Sequence, residues 1–278
     1  MNTRKSIQVS VREPLISIVN GIPYASVPYW GDMAERTLCM DLMMPKHREN
    51  TSPRPVILWI CGGGFEQMDR TVWLPALTRF VREGFTVASV DYRVSSQAPW
   101  PAAVCDVKQA IRFLRAHSDR YRIDPNRIAV MGESAGGYLA AMAAVQDPAF
   151  EAGDWLDTPS NVQAVVDYYG KVDLSRRCDQ APVEEIVRQF TPGFTQEQLI
   201  NASVKSRVVP NMPPFLIFHG DGDAIVSKFE SDELYGKLTE AGVQAEYYVM
   251  EHASHADAAF YQQETYDLVL DFLKRALV

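Results

Sequence analysis

Cysteine is scarce in this chain: Cys39, Cys61, Cys105 and Cys178 are the only four in 278 residues. Their spacing matches no metal motif, and so few cannot staple a fold of this length. Free thiols in a reducing cytoplasm are the expectation. Long apolar runs are missing too. None approaches the ~20 residues that cross a bilayer, so neither a membrane span nor a membrane partner is expected. Arg4 and Lys5 are not followed by the apolar stretch of a signal peptide. Positive charge is in deficit, with 27 Lys and Arg against 35 Asp and Glu, a net charge of −8. Nucleic acid needs clustered Lys and Arg, so it is not an expected partner. Repeats and low-complexity tracts are absent. Histidine is limited to His47, His117, His219, His252 and His255, which narrows any search for a catalytic base.

What remains is ordinary globular material. Hydrophobic residues make up 47% and charged residues 22%, enough for a sizeable core in one domain spanning 1–278. Short apolar runs at 38–44, 56–60, 85–90, 128–131, 162–169, 215–218 and 245–250 read as strands. Between them, 73–83, 101–117, 139–145, 229–239 and 258–276 have helical period or composition. In 101–117, Val104, Val107, Ile111 and Leu114 form the apolar stripe, with Asp106, Lys108, Arg112 and Arg115 between them. Such alternation implies an α/β fold with a mainly parallel sheet, helices on both faces, and a site at the carboxyl ends of the strands. Residues 173–211 break the rhythm. They hold no strand pattern, and Thr195 with Gln198 forms a capping box. The segment is too long for a plain connection and is expected to be a small helical cap; a peripheral helical decoration is the alternative.

The stretch Gly132-Glu133-Ser134-Ala135-Gly136 sits between the strand 128–131 and an alanine-rich helix. The two glycines fall where a tight strand-to-helix turn has no room for a Cβ. That turn would lift the Ser134 hydroxyl above the sheet and aim a helix N-terminus at it. A G-x-S-x-G pentapeptide alone arises by chance in roughly one chain of this length in ten, so its meaning rests on its partners. Asp221 and Asp223 share a glycine-rich loop just past the strand 215–218, and either is a candidate acid. His252 and His255 both follow the last strand, and spacing does not choose between them. A histidine there fits the chain order Ser…Asp…His of hydrolases. Gly62-Gly63-Gly64 begins at the end of the strand 56–60, where backbone N–H groups can approach developing negative charge.

Taken together, Cys61-Gly62-Gly63-Gly64-Phe65, Asp91-Tyr92-Arg93, Pro101-Ala102-Ala103 with Asp106, Asp124-Pro125-Asn126-Arg127, Gly132-Glu133-Ser134-Ala135-Gly136-Gly137, His219-Gly220-Asp221-Gly222-Asp223 and His255 resemble the α/β-hydrolase carboxylesterases. The chain is similar to the BD-FAE-like and hormone-sensitive-lipase-like branches from about Leu38 onward. The resemblance implies Ser134 as nucleophile, Asp223 as acid and His255 as base, with the N–H groups of Gly63, Gly64 and Ala135 as oxyanion hole. It implies structural roles for Asp106 and Asp124. It departs at Cys61, where the family usually has histidine, and at Val204, where relatives commonly have proline.

The expected activity is hydrolysis of small-molecule esters with short acyl chains, without a metal or organic cofactor. A carbohydrate acetyl or feruloyl esterase and a small peptidase or amidase are the alternatives on the same residues. A non-catalytic receptor on this scaffold should have lost one of the three, and all are present. Phe65, Trp100, Tyr169, Phe190 and Phe194 are candidates to line the substrate site or to belong to the core. Self-association is left open.

Overall fold

The computed structural model describes residues 3–29, 33–46, 52–176 and 181–277. His47 and Cys178 lie outside the described residues. The elements run β1 (Leu15–Tyr29), β2 (Ala34–Lys46), β3 (Arg54–Ile60), α1 (Leu74–Arg82), β4 (Thr86–Val90), α2 (Ala102–Ala116), α3 (Ser118–Tyr121), β5 (Ile123–Glu133), α4 (Ala135–Ala143), β6 (Ala164–Tyr168), α5 (Ala181–Phe190), α6 (Gln196–Ala202), β7 (Phe215–Gly220), α7 (Phe229–Glu240), β8 (Ala245–Met250) and α8 (Gln263–Ala276). The strands form one sheet in the order β1-β2-β4-β3-β5-β6-β7-β8. The first pairings, β1 with β2 and β2 with β4, are antiparallel; every later pairing is parallel. Strand order and helical cover are those of the α/β-hydrolase fold. Among the described residues no helix is long and apolar enough to cross a membrane.

Strand alternation sends side chains to two cores. Val56, Leu58 and Ile60 pack with α2, α4 and α7. Ile57 and Trp59 pack with α1 and α8 through Leu77, Phe80, Val269 and Leu273. Helix α4 is buried along its whole length, which suits its run of small residues, since alanine lets a helix lie close to a sheet.

Three departures from the sequence reading have physical causes. Strand β1 carries no clean apolar alternation, because it is an edge strand whose first half faces solvent on both sides. The helical stretch 258–276 is two pieces: a 3-10 turn, Ala258–Tyr261, capped by Asp257, then α8 after an extended Gln262. In α2 three of the charged residues between the apolar positions, Asp106, Lys108 and Arg112, are also buried. Lys108 donates to the carbonyl of Val145 at 2.9 Å and pairs with Glu151 at 3.1 Å, and Arg112 donates to the carbonyl of Asp154 at 3.0 Å. The loop 145–154 covers that face of the helix and supplies the partners that buried charges require.

Register brings distant segments to one edge of the sheet. Ile60 pairs with Gly132, so the glycine loop after β3 and the Ser134 turn after β5 leave the sheet at one level. Gly220 pairs with Met250, so the loops after β7 and β8 also emerge together.

Candidate functional site

Ser134 has φ 54° and ψ −119°, a backbone conformation that a side chain rarely adopts and that neighbouring structure must enforce. Its own N–H donates to the carbonyl of Tyr168 at 2.9 Å. Gly132 and Gly136 make room for the turn: a Cβ on Gly132 would run into the Gly136 carbonyl, and one on Gly136 into the Ile60 carbonyl.

The Ser134 hydroxyl lies 2.9 Å from His255 Nε2, and His255 Nδ1 lies 2.7 Å from Asp223 Oδ2. Asp223 Oδ1 accepts the N–H groups of Ile225 and Val226 at 2.8 and 2.9 Å. The buried ring of His219 donates through Nε2 to the Val226 carbonyl at 2.9 Å and also approaches Asp223 Oδ2 at 3.3 Å. Its Nδ1 faces the Ser231 hydroxyl at 2.7 Å. Burial by itself would raise the Asp223 carboxyl, but hydrogen bonds from His219 and His255 outweigh it and hold the group well below the usual carboxylate range. Asp223 is therefore ionised at neutral pH, and Nδ1 of His255 must carry a proton to face it. In the neutral ring that leaves Nε2 with its lone pair toward Ser134.

The two runners-up have other tasks. Asp221 accepts the backbone N–H of His252 at 2.6 Å, tying the β7 loop to the β8 loop. Backbone contact between these loops is tight: the N–H of Gly222 donates to the Ala253 carbonyl at 3.1 Å, and a Cβ on Gly220 would strike that same carbonyl. The Asp221 contact thus fixes the loop spacing at which Asp223 and His255 meet.

On the other side of Ser134, Gly63, Gly64 and Phe65 all have positive φ, of 124°, 63° and 59°. The Gly63 carbonyl accepts the N–H groups of Glu66 and Gln67 at 3.1 and 3.0 Å, so the loop is closed on itself. Two further contacts orient it. The Tyr92 hydroxyl donates to the Cys61 carbonyl at 2.8 Å, and the Gly62 N–H donates to the buried carboxylate of Glu133, which also takes the Trp73 indole N–H at 3.3 Å. Sequence reasoning did not single out Glu133 or Trp73. The available signal was that Glu133 stands beside Ser134 and one register step from the glycine loop. Burial pushes the Cys61 thiol up to about 12, so this side chain is neutral at the position where the family resemblance leads one to expect histidine.

Within 173–211, helix α5 lies against this loop. Helix α5 places Ile186 so that a methyl on Gly64 would come within 3.3 Å of its Cδ1. The Phe190 ring stacks on Phe65 with centroids 4.0 Å apart, and both rings are buried. Of the aromatic candidates, Phe65 and Phe190 are buried against each other in one core, and Tyr169 is buried in the other, against Phe260. Tyr169 sits edge-on to the His255 imidazole at 4.8 Å and shares a hydrogen bond of 2.6 Å with Tyr261. Trp100 and Phe194 are half-buried. Trp100 donates its indole N–H to the Tyr138 hydroxyl at 2.9 Å, and Phe194 meets its ring edge-on at 5.6 Å. Asp106 binds Arg93 through backbone and guanidinium, and Asp124 binds Arg127; both lie in the scaffold.

Beneath α4, Asp167 is fully buried. Its Oδ1 accepts the Gly170 N–H at 3.0 Å, while Oδ2 has no partner among the described residues. Burial pushes this carboxyl up to about 7. A folded-state value above the unfolded one means that the group favours the folded chain below the ordinary carboxylate range. That contribution is lost as pH rises through about 7. Asp167→Asn keeps the Oδ1 acceptor and removes the charge. Its melting temperature is expected to match the parent at about pH 4 and to exceed it increasingly up to pH 8; an equal offset at both values would mean that Asp167 is not protonated in the fold.

The sequence profile of the BD-FAE family matches residues 40–238. The chain belongs to the BD-FAE family. Among curated relatives, esterase LipC of Mycobacterium tuberculosis (strain ATCC 25618 / H37Rv) is 36% identical over 185 residues, 63% of this chain and 46% of LipC. This BD-FAE chain spans about half the length of the curated relatives it matches. Among solved structures, a truncated carbohydrate esterase from gut microbiota superimposes with a TM-score of 0.79 at 25% identity, covering 96% of this chain and 98% of the other. Esterase 2 of the planctomycete Thermogutta terrifontis, with propionate bound, has a TM-score of 0.75 at 27% identity, covering 91% and 94%.

Proposed function

We propose that this BD-FAE member is a serine carboxylesterase for esters of short acyl chains. The observation that carries the reading is the unbroken line Ser134–His255–Asp223, at 2.9 and 2.7 Å, at the mouth of the strained turn. His255 Nε2 takes the Ser134 proton as Oγ attacks the ester carbonyl. The negative charge that develops on the carbonyl oxygen is met by the N–H groups of Gly63, Gly64 and Ala135, the last at the N-terminus of α4. His255 then gives its proton to the departing alkoxide, water enters, and the acyl-enzyme is hydrolysed by the same relay. Throughout, Asp223 holds the imidazole in one tautomer and stabilises its charged form.

Short acyl groups are favoured because Ile186 and the Phe65–Phe190 stack occupy the space beside the glycine loop. The propionate bound by the Thermogutta enzyme supports the same size. A carbohydrate alcohol is the second reading, supported by the likeness to a carbohydrate esterase over nearly the whole of both chains. A fluorophosphonate probe should label Ser134 alone, and p-nitrophenyl esters should peak between acetate and butyrate. Label on another residue would overturn the nucleophile, and a maximum at eight carbons or more the acyl size.

A further inference from the structure

A cavity of about 150 Å³ lies between α1 and α8, on the face of the sheet away from α4. That volume matches a cavity known to admit a benzene ring. Its walls are aromatic, with Trp59, Trp73, Tyr168 and Tyr261 among them. The Trp73–Tyr261 stack, with centroids 4.3 Å apart, forms part of its wall, and Ser134, Asp223 and His255 are not among its lining residues.

One donor there is unmatched and a second is only weakly engaged. Trp59 is 1% exposed, and its Nε1 has no partner among the described residues. The neighbouring indole of Trp73 does have one, in Glu133. A buried donor without an acceptor is a standing cost to the fold unless something supplies one. Arg79 also lines the cavity. Its guanidinium makes one long contact, 3.4 Å to the Tyr261 carbonyl, and lies 5.8 Å over the Tyr266 ring. It has no carboxylate partner among the described residues, whereas Arg82, on the next turn of α1, pairs with Glu13 at 3.0 Å. Guanidinium groups bind planar carboxylates through paired donors.

We propose that this cavity is a second ligand site, for a planar aromatic carboxylate whose ring carries a hydrogen-bond acceptor. The ring lies between the aromatic walls, the carboxylate meets Arg79, and the ring acceptor takes the Trp59 N–H. Calorimetric titration of Ser134→Ala protein with 4-hydroxybenzoate and with benzoate tests this. 4-Hydroxybenzoate should saturate and bind about tenfold more tightly than benzoate. Trp59→Phe should remove that tenfold advantage and leave benzoate unchanged. Arg79→Met, at a half-exposed position, should weaken both acids about tenfold or more. In the parent enzyme, 4-hydroxybenzoate should not compete with p-nitrophenyl acetate. Absence of saturable binding, indifference to both substitutions, or competition at Ser134 would each overturn the site. The titrations are read without turnover, so a failure of the esterase assignment shows separately, as absent hydrolysis.

Discussion

Ser134→Ala is expected to lower kcat for p-nitrophenyl acetate by about 10⁶-fold, because a nucleophile and its base act as one unit and losing the nucleophile removes the covalent route entirely. The residue left after substitution still has a Cβ, so the turn at φ 54° and ψ −119° keeps the strain it already bears. Its backbone N–H still donates to Tyr168. The hydroxyl gives up a single hydrogen bond, to His255 Nε2, and His255 remains held by Asp223. The melting temperature should therefore move by no more than a few degrees, as for loss of one partly buried hydrogen bond of about 1 kcal/mol. Loss of activity with an intact melting curve separates chemistry from folding. Turnover above 1% of the parent, in protein purified free of parental enzyme, would remove Ser134 from the mechanism.

Legibility of this site in the sequence follows how local each cause is. The Ser134 turn was legible because strand, glycines and helix are contiguous, and steric demands at Gly132 and Gly136 act over a few residues. The alternating strands and helices likewise announced a parallel sheet. The choice of Asp223 over Asp221 had no local cause. Both follow glycines in one loop, and they differ only in what faces them: the backbone of His252 for one, the ring of His255 for the other. That difference depends on the pairing of β7 with β8, a contact across about thirty residues of chain. The aromatic candidates failed to separate into core and rim for the same reason. Phe190 looks like any aromatic residue ending an amphipathic helix until α5 is laid over the glycine loop and its ring meets Phe65. Edge strand β1 escaped notice because an edge needs pairing on one side only, and its solvent-facing residues obey no apolar period.

Gly136→Ala offers the opposite case, where a local rule and the fold disagree in sign. Gly136 is the second residue of α4, and helix propensity alone favours alanine over glycine there by up to about 1 kcal/mol. Packing forbids it. A Cβ would collide with the Ile60 carbonyl and come within 2.8 Å of the Cys61 carbonyl, and backbone atoms in a central strand cannot rotate away as a side chain would. Either α4 moves off β3 or the carbonyl that begins the glycine loop is pushed aside. Ordinary overpacking costs about 1–3 kcal/mol; a clash with two fixed carbonyls should reach about 4 kcal/mol, or roughly 10 °C in melting temperature for a chain of this size. Activity should fall in the protein that still folds, since the displaced carbonyl leads directly into Gly63 and Gly64. Gly236→Ala is the control. Gly236 lies in α7 with nothing within 4 Å of an added Cβ, and there the same substitution should raise stability by about 0.5–1 kcal/mol. If alanine stabilises both positions alike, close contact between α4 and the end of β3 is not what shapes the Ser134 turn.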